Sequence, residues 1–304
     1  MSRFVDAHCH VSSGDELHGE LDVEGPTLRC VMSNNGFDWE RLKTVGDAGR
    51  LRRGFGVHPW YCHLYSLGET DKRSHYESVL EWKDDDAFES LLERLPEPVP
   101  MEEYISREFD PSKVDVVGEI GLDRMFRLPE SGYYVHSKRQ APLSRVKVKM
   151  AHQMAVFQRF CRLARESRKP VSIHDVRCHG VLFETCVREI LPCEEVRVCL
   201  HSYTGSPQTL TECWLRRFPE DRLFLSVSKY INFRTEDVGE QLLKLVPPRC
   251  ILTETDFPVD IEPEEDLQDQ LEYTCRQLAR VLRLGELDEV KALIYDNYQR
   301  FVAS

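Results

Sequence analysis

The 304-residue chain lacks any uncharged apolar run of about 18 residues, the length that crosses a bilayer. Met1 to His10 carry Arg3 and Asp6 and enter an extended apolar pattern at once, with no h-region or cleavage site. The expectation is a soluble, untargeted protein, cytoplasmic and extending to the nucleus, with no membrane partner. Positive charge is also scarce. Against 52 Asp+Glu there are 40 Lys+Arg, a net charge of −12, which excludes a broad cationic surface gripping duplex DNA through many phosphates. Any nucleic-acid contact must be local. No Cys-x-x-Cys pair occurs, which argues against a structural zinc ribbon. The 11 cysteines are odd in number, and Cys30, Cys161, Cys199 and Cys250 sit in apolar contexts, so reduced core thiols are expected rather than a disulfide framework. No internal repeat, low-complexity run or clear linker divides the chain, so a single domain over residues 1–304 is expected.

What is present is alternation. Short β-branched runs at Phe4 to His8, Thr27 to Ser33, Gly54 to His58, Val114 to Ile120, Pro170 to His174, Val196 to His201, Leu223 to Val227 and Arg249 to Glu254 read as strands. Between them lie segments of helical period: Asp38 to Ala48, Ala87 to Leu95, Val148 to Ser167, His179 to Ile190, Pro207 to Phe218 and Glu236 to Val246. Leu267 to Leu284 and Leu287 to Val302 close the chain. In Val148 to Ser167 the apolar positions Met150, Met154, Phe157, Phe160, Cys161 and Ala164 follow steps of three and four, and Pro170 is expected to stop this helix and open the next strand. Near-continuous apolar strands followed by helices imply parallel pairing covered from outside. Eight such units predict an α/β fold, a TIM-type (β/α)8 barrel. Residues 62–113 and 124–147 exceed ordinary connections and are expected as two insertions at the strands' C-terminal face.

Six metal-competent residues recur at the ends of these runs: His8, His10, Glu119, His174, His201 and Asp256. A barrel gathers strand ends into one bowl, so the pattern points to a metal-dependent hydrolase. In Asp6-Ala-His8-Cys-His10, period two puts both imidazoles on one side, about 7 Å apart along the strand. The alternative is two satisfied surface or core histidines. Asp6 could fix a histidine tautomer from behind, or merely cap the barrel mouth. Glu119 interrupts an apolar strand, where a carboxylate needs a cation, either a bridging metal or a barrel arginine. Asp256 can ligate metal and accept a proton from metal-bound water, the role of a general base. Glu254 would order the site from below or pair with a cation in the core.

The motifs D-x-H-x-H at Asp6 to His10, G-x-H-P at Gly56 to Pro59, G-E-I-G-L-D at Gly118 to Asp123, I-H at Ile173-His174, H-S-Y-T-G at His201 to Gly205 and T-E-T-D-F-P at Thr253 to Pro258 together resemble the TatD family of metal-dependent deoxyribonucleases, amidohydrolase-like barrels. The resemblance covers residues 4 to 258 in order, with the last two helices fitting the family's C-terminal end. It implies two divalent cations (Mg, Zn, Mn or Ni), one held by His8, His10, Glu119 and Asp256, the other by Glu119, His174 and His201. Asp175 stands where the family often has a small residue, while Arg177 is retained, and the long insertions resemble divergent fungal members.

The implied reaction is hydrolysis of DNA phosphodiester bonds, in single strands or at ends, or of a small phosphodiester. A metal-bound hydroxide oriented by Asp256 would attack phosphorus, with Glu119 and His58 as further catalytic residues. His58 would bind phosphate or protonate the leaving group; equally it could hydrogen-bond a loop carbonyl. Arg177 and the cluster Lys138, Arg139, Arg145 and Lys147 could contact phosphates, or form a solvated face. Tyr203 could stack on an unpaired base or pack the loop. The rivals are an amidohydrolase-type enzyme acting on an amide or lactone, and a barrel that docks a protein partner through the acidic insertion 62–113.

Overall fold

A computed structural model of the protein describes residues 3–13, 25–46, 49–135 and 141–303. Eight strands pair in chain order as one parallel sheet: β1 (Val5–His10), β2 (Leu28–Met32), β3 (Leu51–Phe55), β4 (Val116–Asp123), β5 (Val171–Val176), β6 (Val198–Leu200), β7 (Leu223–Val227) and β8 (Ile251–Thr253). Almost every strand residue is buried, as the near-continuous apolar runs require when helices cover the outer face.

The barrel closes without a regular β1–β8 ladder. The chain leaving β8 lies along β1 instead: Asp256 N donates to His8 O at 3.0 Å, His10 N to Phe257 O at 2.9 Å and Val259 N to His10 O at 2.8 Å. Asp6 secures the seam, since its buried carboxylate accepts Thr255 N at 2.9 Å and Thr255 Oγ1 at 2.7 Å. Both bonds come from Thr255, so it serves the seam between the first and last strands rather than orienting a histidine or capping the mouth.

The helices are α1 (Gly36–Leu42), α2 (Lys72–Val79), α3 (Asp85–Arg94), α4 (Met101–Glu108), α5 (Met150–Ser167) and α6 (His179–Glu189). A seventh, α7, runs from Pro207–Thr209 through a π turn at Leu210–Trp214 to Leu215–Arg217; α8 (Glu236–Leu245), α9 (Glu264–Leu282) and α10 (Leu287–Val302) follow. α1 begins two residues before the sequence pattern suggests because Asn35 and Asp38 form a capping box. α5 ends at Ser167, as the sequence pattern suggests, and Arg168, with a φ of 56°, caps it in the left-handed region with N–H bonds to Ala164 O and Arg165 O, two residues before Pro170.

Residues 62–113 are structured. α2 and α4 escaped the sequence reading because each spans only 8 residues with three inward side chains, too few for a period to register. Two-residue strands at Tyr65–Ser66 and Val99–Pro100 pair in parallel, and Leu80–Glu81 pairs antiparallel with Lys147–Val148, tying this segment to the entry of α5. α4 supplies the outer cover for β3: Phe55 is fully buried, with the rings of Trp39, Tyr104, Phe109 and Phe160 at 4.9, 5.2, 5.5 and 6.1 Å. Phe55→Ala should cost about 3–5 kcal/mol in urea unfolding, the usual range for a buried aromatic truncated to alanine. A loss below about 1 kcal/mol would mean that this side of the barrel collapses around the missing ring.

Candidate metal centre

Glu119 and His174 do not sit at strand ends as the sequence suggests. β4 and β5 continue past them, pairing Gly121 with His174 and Asp123 with Val176, after an irregularity between Val117 and Ile120 that encloses Glu119. Gly121 permits that close pairing, because a Cβ there would lie 1.9 Å from His174 O. The extension carries Asp123 up to the same bowl.

All six expected residues converge. Glu119 divides them: its Oε2 lies 3.4 Å from His8 Nε2 and 3.4 Å from His10 Nε2, while Oε1 lies 2.7 Å from His174 Nδ1 and 2.8 Å from His201 Nε2. Asp256 Oδ1 completes the first side, 3.2 Å from His10 Nε2 and 3.8 Å from His8 Nε2. The His8 and His201 rings stack at 3.9 Å. Among the described residues, three sets have ligand atoms close enough to hold an ion: His8, His10 and Asp256; His58, Glu119 and His174; and His8, His201 and Glu254.

The donor chemistry asks for a cation. His10 Nδ1 lies 3.2 Å from both Met32 O and Asn34 Nδ2; with the ring proton on Nδ1, directed at the carbonyl, Nε2 presents a lone pair. That lone pair faces two carboxylate oxygens and the Nε2 of His8, 3.3 Å away. Bare lone pairs repel at such distances; positive charge between them, as protons or metal ions, is what makes the arrangement favourable.

The shifted acidities express this demand. Burial alone would raise Glu119, but His58, His201, His174 and His8 hold its carboxyl well below the usual range. Burial would lower His174 and His201, yet Glu119 together with Asp123 raises His174 to about 9, and Glu119 with Glu254 and Asp256 raises His201 well above an ordinary imidazole. Glu254, fully buried, accepts from Ser202 Oγ and Ser226 Oγ and lies 3.4 Å from His201 Nδ1; it thus supports the site from below with no core cation.

His58 differs in kind. Its Nδ1 accepts Trp60 N at 3.1 Å, so the neutral ring carries its proton on Nε2, 3.4 Å from Glu119 Oε1. Burial lowers its pKa to about 4, which leaves a neutral hydrogen-bond donor at pH 7 rather than a charged proton donor. Asp123, Ser172 and Trp60 were missed by sequence reasoning. Asp123 takes Trp60 Nε1 at 2.7 Å and lies 3.6 Å from His174 Nε2, and Ser172 Oγ meets His8 Nδ1 at 2.7 Å. Ser172 could have been found as the residue two before His174 on the same strand face.

The expected substrate contacts fare less well. Tyr203 is buried with its hydroxyl 3.3 Å from Ser206 O, so it packs its loop and offers no ring to a base. Asp175 is engaged by Cys178 N at 3.1 Å and His179 Nδ1 at 2.8 Å, which ties it to the start of α6. Arg177 is exposed at the β5 exit, and Lys147 lies in the short antiparallel pair. Lys138 and Arg139 lie outside the described residues. The bowl itself is a cavity of about 760 Å³ whose floor includes His10, His58, Glu119, His174 and Asp256.

Because His174 is raised to about 9, it must lose a proton to ligate metal near pH 7. Metal uptake should release at least about one proton per protein and strengthen as pH rises toward 9. Calorimetry in buffers of differing ionisation heat reads this directly, and heats independent of the buffer would contradict it.

Comparisons with known proteins agree with this geometry. The model of the family "TatD related DNase" matches residues 5–303. An uncharacterized deoxyribonuclease of Saccharomyces cerevisiae is 47% identical over 99% of this chain and 100% of its own length. The Cut9-interacting protein scn1 of Schizosaccharomyces pombe is 31% identical over 84% of this chain and 87% of its own. A solved TatD homolog from Escherichia coli superposes with a TM-score of 0.58 at 19% identity, covering 99% of this chain and 98% of that one, which shows the shared barrel. With a family match across nearly its whole length and so near a relative, this chain belongs to the TatD-related DNases.

Proposed function

We propose that this protein is a divalent-metal-dependent deoxyribonuclease that hydrolyses phosphodiester bonds in single-stranded DNA or at DNA ends. The observation that carries the reading is the division of Glu119 between two sets of ligands, one oxygen toward His8, His10 and Asp256 and the other toward His174 and His201. These residues would hold two cations with Glu119 shared. Bound there, divalent ions supply Lewis acidity, drawing charge from a phosphoryl oxygen and lowering the pKa of water toward about 7.

The protein's own groups divide the remaining work. Asp256 has 23% of its side chain accessible against 3% for Glu119, so it is the carboxylate that can meet an attacking water and take its proton. Its φ of 63° turns it out of the strand direction and over the bowl. Glu119, closed in by imidazoles, is fixed as a ligand. His58, with its proton on Nε2, donates a hydrogen bond to a non-bridging or leaving oxygen. The negative net charge suits a local grip on one strand end better than a duplex footprint.

A protein partner is the second reading. It is favoured by the fission-yeast relative named for interaction with Cut9, and the face that would serve is the insertion 62–113. Among the described residues, no helix is long and apolar enough to cross a membrane.

On a single-stranded oligonucleotide, with Mg, Mn, Zn or Ni restored singly after chelation, at least one cation should return hydrolysis. Asp256→Asn should lower kcat by about 10²–10⁴-fold, the usual contribution of general-base catalysis. Lactone turnover without phosphodiester turnover across all four metals would overturn the reading in favour of an amidohydrolase-type reaction.

A further inference from the structure

The walls of the cavity differ from its floor. In an eight-stranded barrel paired in chain order, the exits of β3 and β4 stand across the mouth from those of β7 and β8. The first pair brings Trp60 and Tyr134 to the cavity, and the second brings Ile231, Phe257 and Ile261. Ile231 and Ile261 are 38% and 54% exposed, so this wall offers apolar surface to whatever enters the cavity. Apart from the floor, Glu262 is the one charged lining residue among those described. Among the described residues these walls offer no cation to a phosphate backbone, whereas a planar, uncharged group finds the rings of Trp60 and Tyr134 on one side and Ile231, Ile261 and Phe257 on the other.

Trp60 is built in rather than loosely placed. Its Nε1 donates to Asp123 Oδ2 at 2.7 Å, Phe126 lies parallel to it with centroids 5.0 Å apart and planes 12° apart, and Tyr134 meets it edgewise at 5.5 Å. Asp123 stands 3.6 Å from His174 Nε2, and His58 lies 5.1 Å from the indole, so the platform adjoins the carboxylate and imidazole floor. A held ring loses little further freedom when it stacks on a ligand.

We propose that Trp60, backed by Phe126 and bordered by Tyr134, is a stacking subsite for the unpaired terminal nucleobase of a DNA strand, with Ile231 and Ile261 closing on its other face. This deepens the deoxyribonuclease reading and rests on it. A paired base inside a duplex cannot enter such a slot without leaving its stack, so frayed and single-stranded ends are the substrates selected.

The test is a binding measurement that requires no turnover. The metal-free full-length protein is titrated into single-stranded oligonucleotides carrying 2-aminopurine at the terminal or at a central position. Terminal fluorescence should be quenched and central fluorescence largely spared. Trp60→Leu should abolish the quenching and weaken binding by about 5- to 150-fold, the span for loss of one base–aromatic stack. Trp60→Phe keeps a ring but loses the Asp123 hydrogen bond, and should retain most of the quenching. Tyr134→Leu should weaken it.

With metal restored, replacing the terminal nucleotide by an abasic one should lower kcat/KM in the wild type and have little further effect in Trp60→Leu. Equal loss on both substrates, or quenching unchanged in both Trp60→Leu and Tyr134→Leu, would overturn the subsite. Normal terminal quenching with no hydrolysis under any metal would instead sustain the subsite and sink the nuclease reading.

Discussion

A single buried carboxylate organises this protein. Glu119 lies in the middle of a mostly apolar strand with five imidazole nitrogens within 3.4 Å, from His8 and His10 on β1, His174 on β5, His201 just after β6 and His58 after β3. A charge in that position is strongly unfavourable unless opposite charge surrounds it. The fold meets this by bringing β1, β5 and β6 to the same point, so metal chemistry and barrel closure share one constraint. The seam follows the same logic, because the backbone N–H of Asp256, itself one of the converging groups, bonds His8 O across the gap between the first and last strands.

Precision at the bowl comes from strained exits above a rigid floor. Among the described residues, five other than glycine have positive φ. Two of them, Arg168 and Arg283, are left-handed helix caps. The other three, Arg177, Ser202 and Asp256, all lie where the chain leaves β5, β6 and β8 beside the centre. Such conformations cost about 1–3 kcal/mol each and persist where the surrounding structure fixes them. Here they redirect Asp256 over the cavity and bring Ser202 onto Glu254, which in turn lies against His201. The packed barrel beneath supplies the resistance that holds them.

Much of this was legible in the sequence because period and chemistry coincide there. His8 and His10 share a face by alternation, and Glu119, His174, His201 and Asp256 stand out as polar residues in or beside apolar runs. What escaped notice lacked one of those signals. Asp123 and Trp60 sit beyond the expected strand limits, and their hydrogen bond joins segments 63 residues apart. α2 and α4 are too short to show a period, and α4 replaces the cover that β3 needs by packing Tyr104 on Phe55. Tyr203 looked accessible beside His201, but Asn232 Nδ2 bonds its carbonyl at 3.0 Å and the side chain is buried, a tertiary contact that no local pattern announces.

The central claim is that Glu119 is shared between two cations. A crystal structure of the metal-loaded protein, with anomalous scattering recorded at the absorption edge of the bound ion, tests it most directly. The account predicts two peaks about 3.5–4 Å apart, one beside His8 and His10 and the other beside His174 and His201, with a Glu119 oxygen bonded to each. A single ion, or two ions with Glu119 bonded to only one of them, would contradict it.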